Sequence, residues 1–122
     1  MTWYLISFDA HAMDHIPGED MAAVGKAAHA VAQEAVDEGV LVCSGALDQR
    51  ADIVATGGAV TDGPPPEAIG GLTVVDVPSR EEALGWAAKL AVACRCPQEV
   101  RALGPDPELD EMLRRASVTE GR

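Results

Sequence analysis

Between Val60 and Leu72 the chain reads Val-Thr-Asp-Gly-Pro-Pro-Pro-Glu-Ala-Ile-Gly-Gly-Leu, and no regular element can run through it. Proline lacks an N–H and its ring fixes φ, so three in a row forbid a ladder strand. Asp62-Gly63 is a turn signal, and Gly70-Gly71 releases the chain into the apolar run Leu72 to Val77. Whatever the fold, its regular elements must end before this stretch and begin again after it.

On the amino-terminal side, Thr2 to Phe8 is rich in aromatic and β-branched residues and is bounded by Asp9, which predicts a strand near the centre of a sheet. Trp3, Leu5 and Ser7 fall on one side and Tyr4, Ile6 and Phe8 on the other, so both faces are expected to be covered. Asp9 to Gly18 reads as a loop. From Glu19 to Glu38 the apolar positions Met21, Val24, Ala28, Val31 and Ala35 step by three and four, predicting an amphipathic helix closed by Gly39. Val40 to Ser44 is a second strand, and residues 53 to 61 form a small hairpin turned at Gly57-Gly58.

Past the prolines, Leu72 to Val77 is a strand. Ser79 with Glu82 makes a capping box for a helix to about Ala93, with Ala83, Leu84, Ala87, Leu90 and Ala91 as its buried stripe. Glu99 to Leu103 is the last strand. Asp106 as N-cap and Pro107 as first helical residue then open a further helix whose stripe is Leu109, Met112, Leu113 and Ala116, expected to pack on its own domain or across a dimer. Ser117 to Arg122 is expected to fray. The order strand, helix, strand, hairpin, strand, helix, strand is that of a ferredoxin-like α+β plait with an antiparallel sheet, spanning residues 1–104, with a helical tail at 105–122. Two helices cover one face of such a sheet, and a second copy of the chain is the simplest cover for the other.

Composition narrows the function. With 122 residues the chain is one domain that buries about two thirds of its unfolded surface. Only four side chains are aromatic (Trp3, Tyr4, Phe8, Trp86), and a core this thin gains from burial at a dimer interface. Twenty acidic against nine basic residues, a net charge of -11, disfavour contact with a phosphate backbone and therefore nucleic-acid binding. Cys43, Cys94 and Cys96 are an odd number without framework spacing, and Cys94-Arg95-Cys96 lacks the second pair of a zinc ribbon. The first residues carry neither a basic segment nor a long apolar one, so a reduced cytoplasmic protein with no membrane span is expected.

A linked series of motifs goes further. Gly39-Val40-Leu41-Val42 precedes a small-residue turn at Cys43-Ser44-Gly45-Ala46. Val60-Thr61-Asp62-Gly63-Pro64 follows, then Gly70 to Val77, Ser79 to Ala87, and Cys96-Pro97 ahead of Glu99-Val100-Arg101. Over residues 2 to 103 the chain resembles the YCII-related family, and within it the DGPF branch, departing at Pro65 where that branch carries Phe. The resemblance implies a dimeric α+β barrel with a cleft between sheet and helices. It also implies a small-molecule site, with His and Asp acid-base chemistry in some members.

The ionisable candidates are few. His29 lies in the first helix, one position from the column in which family members carry a histidine, with Ala28 in that column. Its alternatives are a catalytic role and a partly exposed helix residue beside the buried stripe. His11 and His15 sit in the loop after the first strand beside Asp9 and Asp14, where a carboxylate orienting an imidazole makes an acid-base pair. If that segment were helical, His11, His15 and Asp14 would share a face as metal ligands, although Pro17-Gly18 works against it. Otherwise the segment is an exposed polar loop. Asp62 either caps its own turn by accepting from onward amides or orients a histidine. Tyr4, Cys43 and Arg101 are candidate substrate contacts, Cys43 otherwise reading as a buried small hydrophobe and Arg101 as a surface arginine. The expected function is cofactor-free, metal-free elimination, isomerisation or cyclisation of a small cyclic or aromatic ligand in a homodimer. The alternative is a non-catalytic ligand-binding or regulatory dimer.

Overall fold

The computed structural model describes residues 1–63 and 67–119. Six strands and three α-helices follow in the order β1 (Thr2–Asp9), α1 (Met21–Asp37), β2 (Leu41–Ala46), β3 (Asp52–Val54), β4 (Val60–Asp62), β5 (Ile69–Val77), α2 (Arg80–Cys94), β6 (Glu99–Ala102) and α3 (Pro107–Thr119). The main sheet has the order β2-β5-β1-β6, with every neighbouring pair antiparallel. This is the α+β ferredoxin-like arrangement expected from the element order, with β1 in the interior. Among the described residues β3 and β4 pair only with each other, as a small exposed hairpin that turns at Gly58 with φ of 93°.

Strand alternation and register decide what each face carries. Tyr4 and Ile6 stand opposite Val75 and Thr73 on the face that receives α2, where Val77, Ala83, Trp86, Ala87 and Leu90 complete the core. Leu5 stands opposite Val74 and Arg101, and Trp3 opposite Asp76, on the other face. The described residues leave this other face largely uncovered: Ser7 is buried but Trp3 is 45% exposed, so the expectation of two covered faces is not met. Two helices span one layer and no more.

The local signals explain the element ends. Gly39 takes φ of 73° to end α1, and the Ser79 hydroxyl accepts from the Glu82 amide to start α2, a cap that contributes about 1 kcal/mol. Asp106 accepts from the Leu109 amide and starts α3 in the same way. The helix continues to Thr119, so residues 117–119 are helical where fraying was expected, and 120–122 lie outside the described residues.

Three other expectations are corrected. The buried arc of α2 is Ala83, Trp86, Ala87, Leu90, Ala93 and Cys94, while Leu84 is exposed and Ala91 half-buried. Leu84 lies one residue, about 100° of helix, from Ala83. Leu109, Met112 and Leu113 on α3 are exposed, so that stripe is not buried against its own chain. Finally, Gly70-Gly71 does not precede a strand but lies inside β5, where the Phe8 ring crosses it. A Cβ on Gly71 would sit 2.6 Å from Phe8 Cζ, and one on Gly70 2.9 Å from Ala10 Cα.

Candidate functional site

α2 lies flat on the sheet, whereas α1 buries only Val24 and Ala35 along its 17 residues. The reason is in the side chains that α1 turns inward. Gly25, Ala28 and Ala32 are too short to reach β2 and β5, and they face Ser44, Gly45 and Ala46 across a gap. The result is a cleft of about 450 Å³ on the helix-covered face. Phe8, Met13 and Met21 close one part of it, and Leu41 and Leu90 form part of its wall. Cβ atoms built on Gly25 and on Gly45 meet nothing within 4 Å, so both glycines border open space. Two ion pairs hold α1 beside α2: Asp20 with Arg95 at 3.0 Å and Glu34 with Lys89 at 2.8 Å. The Lys89 ammonium, raised above its ordinary pKa chiefly by its hydrogen bond to Glu34, also lies 4.8 Å from the centre of the Trp86 ring.

The polar groups on this otherwise apolar lining are His29, Ser44, Thr73, Gln98 and the Cys94 thiol. Ser44 Oγ is 2.7 Å from Thr73 Oγ1 and 3.3 Å from the Leu72 carbonyl oxygen. Burial pushes the Cys94 thiol above its ordinary pKa, which keeps it protonated and makes it a poor nucleophile. Cys96 is pushed up in the same way and accepts a hydrogen bond from Gln98 at 3.6 Å. Among the described residues no aspartate, glutamate, lysine or arginine lines the cleft.

Of the histidines and aspartates singled out in the sequence, His29 alone reaches this cleft, exposed at its rim beside Ala28. His11 and His15 lie in an exposed loop. There Asp9 accepts from the His11 backbone amide at 2.8 Å, and His11 Nδ1 is 3.0 Å from Asp14 Oδ2. The loop closes in successive three-residue turns, from the Ala12 amide to Asp9, the Asp14 amide to His11 and the Ile16 amide to Met13. It is therefore not the α-helix that a shared face for His11 and His15 requires. Among the described residues no three His, Cys, Asp or Glu side chains gather as a metal site.

Asp62 is exposed at the end of β4 and borders a separate shallow depression of about 270 Å³ with Arg50. The next amide, on Gly63, donates to the Ala51 carbonyl, and prolines carry no N–H, so Asp62 has no onward amide before Glu67 to cap. Tyr4 is packed in the core. Cys43 is exposed rather than buried, and both it and Arg101 project from the uncovered face, away from the cleft. The segment Cys43-Ser44-Gly45-Ala46 is strand, not turn, which is what places Ser44 and Ala46 on the cleft side. Pro65 lies outside the described residues.

Phe8, Ser44, Thr73, Cys94 and Gln98 carried no functional signal in the sequence. They are common residue types on four different elements and the loop between α2 and β6, and only strand register and helix stand-off bring them together. The one available hint was alternation: Ser44 and Thr73 are short polar residues at inward positions of strands that are otherwise apolar.

No curated protein matches the chain. A family model described as the YCII-related domain matches residues 2–95, well over half of the 122 residues, and covers every element from β1 through α2. The chain therefore belongs to the YCII-related domain family.

Proposed function

We propose that the protein binds a small, largely apolar cyclic molecule in the cleft between α1 and the sheet, and that His29 serves there as a cofactor-free acid-base group. The observation that carries this reading is the convergence of one imidazole and two hydroxyls on an apolar cavity of about 450 Å³, within the size range of small-molecule sites. A neutral imidazole at the rim takes a proton from the bound molecule. As imidazolium it returns that proton to a leaving group or to another ring atom, giving elimination or isomerisation. The apolar walls keep water from the intermediate. His11, His15, Asp9 and Asp62 lie on exposed turns outside the cleft and have no part in this proposal.

The test uses turnover of a substrate found by screening small cyclic compounds. His29→Gln is expected to lower kcat by at least about 100-fold with the melting temperature unchanged, as loss of a general acid-base group does. Full activity of that variant rules out the catalytic reading. A second reading, ligand binding without catalysis, is favoured by one observation: among the described residues the histidine paired with a carboxylate is His11, not His29. In that case ligand binds and no product forms.

The uncovered sheet face, with Trp3, Leu5 and Val74, suits a second copy of the chain in a facing-sheet homodimer. Three free thiols suit a reduced, cytoplasmic setting, and the Asp62-Gly63 turn suits the DGPF branch of the family. No helix among the described residues is long and apolar enough to cross a membrane. Light scattering at micromolar concentration is expected to give twice the chain mass, and a monomer there contradicts the facing-sheet arrangement.

A further inference from the structure

The hydroxyl pair in the cleft has a fixed polarity. Ser44 and Thr73 each own one hydroxyl proton, and the Leu72 carbonyl owns none. Ser44 Oγ lies within hydrogen-bonding distance of both Thr73 Oγ1 (2.7 Å) and the Leu72 carbonyl oxygen (3.3 Å). A carbonyl can only accept. Both contacts are made together in one way only: Ser44 donates to Leu72, and Thr73 donates to Ser44. Each proton is then used within the protein. Thr73 Oγ1 keeps both lone pairs and Ser44 Oγ keeps one, so the pair offers the cleft acceptors and no donor.

Charge sets a second restriction. Among the described residues the cleft lining includes no lysine or arginine, and the chain carries a net charge of -11. An anion entering the cleft would give up water without meeting a fixed cation, against an unfavourable overall field.

From these two observations we infer that the cleft selects uncharged ligands bearing a hydroxyl or N–H donor, which is given to the Ser44–Thr73 pair, over ethers and carboxylates of the same shape. This rests on the cleft being the ligand site. A molecule of the right size whose polar atom only accepts leaves the lone pairs of Thr73 Oγ1 without a donor in the cleft, a loss of about tenfold in affinity.

Three probes of one shape separate the possibilities: 2-naphthol, 2-methoxynaphthalene and 2-naphthoate. Each is titrated into the full chain labelled with ¹³C at the methionine methyls. Met13 and Met21 line the cleft, while Met1 and Met112 are exposed elsewhere and report indiscriminate binding. Naphthol is expected to shift Met13 and Met21 selectively, with the ether about tenfold weaker and the naphthoate weaker still. Ser44→Ala supplies the diagnostic variant, since it frees the Thr73 proton to donate into the cleft. The preference for naphthol over the ether should then fall to within about threefold, with ether binding improved. Ser44 is exposed, so this variant is expected to fold. Equal affinities of naphthol and ether in the unaltered protein, tightest binding of naphthoate, or an unchanged preference in Ser44→Ala each overturn the inference while leaving the cleft as a site. Failure of all three probes to move Met13 and Met21 overturns the cleft reading itself.

Discussion

α1 and α2 cross the same sheet and do opposite things. α2, with 15 residues, buries six, among them Trp86 and Leu90; α1, with 17, buries two. Their difference is not hydrophobicity, since both are rich in alanine, but where the large side chains point. α2 aims Trp86 and Leu90 into the sheet. α1 aims Gly25, Ala28 and Ala32 at it and leaves Met21 43% exposed. One helix holds the domain together and the other holds a cavity open. An element can thus belong to the fold without being filled by it, and a stand-off of this kind is where a small domain has room for a ligand.

Truncating a large residue on each helix tests that division. Trp86→Ala is expected to cost about 3–5 kcal/mol, whereas Met21→Ala costs less than about 1 kcal/mol. Urea denaturation monitored by circular dichroism measures both. Similar losses would mean that α1 is as much a part of the core as α2.

Enlarging a small residue tests it from the other side, with a smaller effect. Ala83 is fully buried, so Ala83→Leu forces three extra carbons into packed space and should cost about 1–3 kcal/mol. Ala32 faces the cleft, so Ala32→Leu should change stability by less than about 0.5 kcal/mol while reducing the volume open to ligand. Thermal unfolding read against ligand binding separates the two, and a destabilised Ala32→Leu protein would show the gap to be already filled.

What the sequence disclosed follows the same division. The Ser79 cap, the stop at Gly39, the Asp106 cap and the strand-helix order are local signals, set by a few adjacent residues, and the structure realises each of them, the expected capping box through its Ser79 half, the bond from the Glu82 amide to the Ser79 hydroxyl. The arc that α2 buries was misplaced by one residue because Ala83 and Leu84 are both apolar, and an alanine-rich helix gives its period little contrast. The exposure of Cys43 depends on an irregularity in the β2–β5 register between Leu41 and Cys43, which leaves no trace in the sequence. At the cleft, only His29 was legible, through a family resemblance. The Ser44–Thr73 pair is separated by 29 positions and exists only because β2 and β5 are in register. The polar loop at His11 looked more promising in the sequence than the helix histidine, because clustered charges read the same whether they surround a site or simply meet water.

The Phe8 ring lying over Gly70 and Gly71 places two requirements on the same few atoms. It packs the seam where β1 meets β5, and it also forms part of the cleft wall. A lineage that adds a side chain at Gly71 must shrink or move the ring, and so alters which ligands fit at the moment it alters the seam; at Gly70 the Ala10 backbone must shift as well. Drift at this position is therefore coupled: the domain cannot retune its sheet here without also changing its clientele.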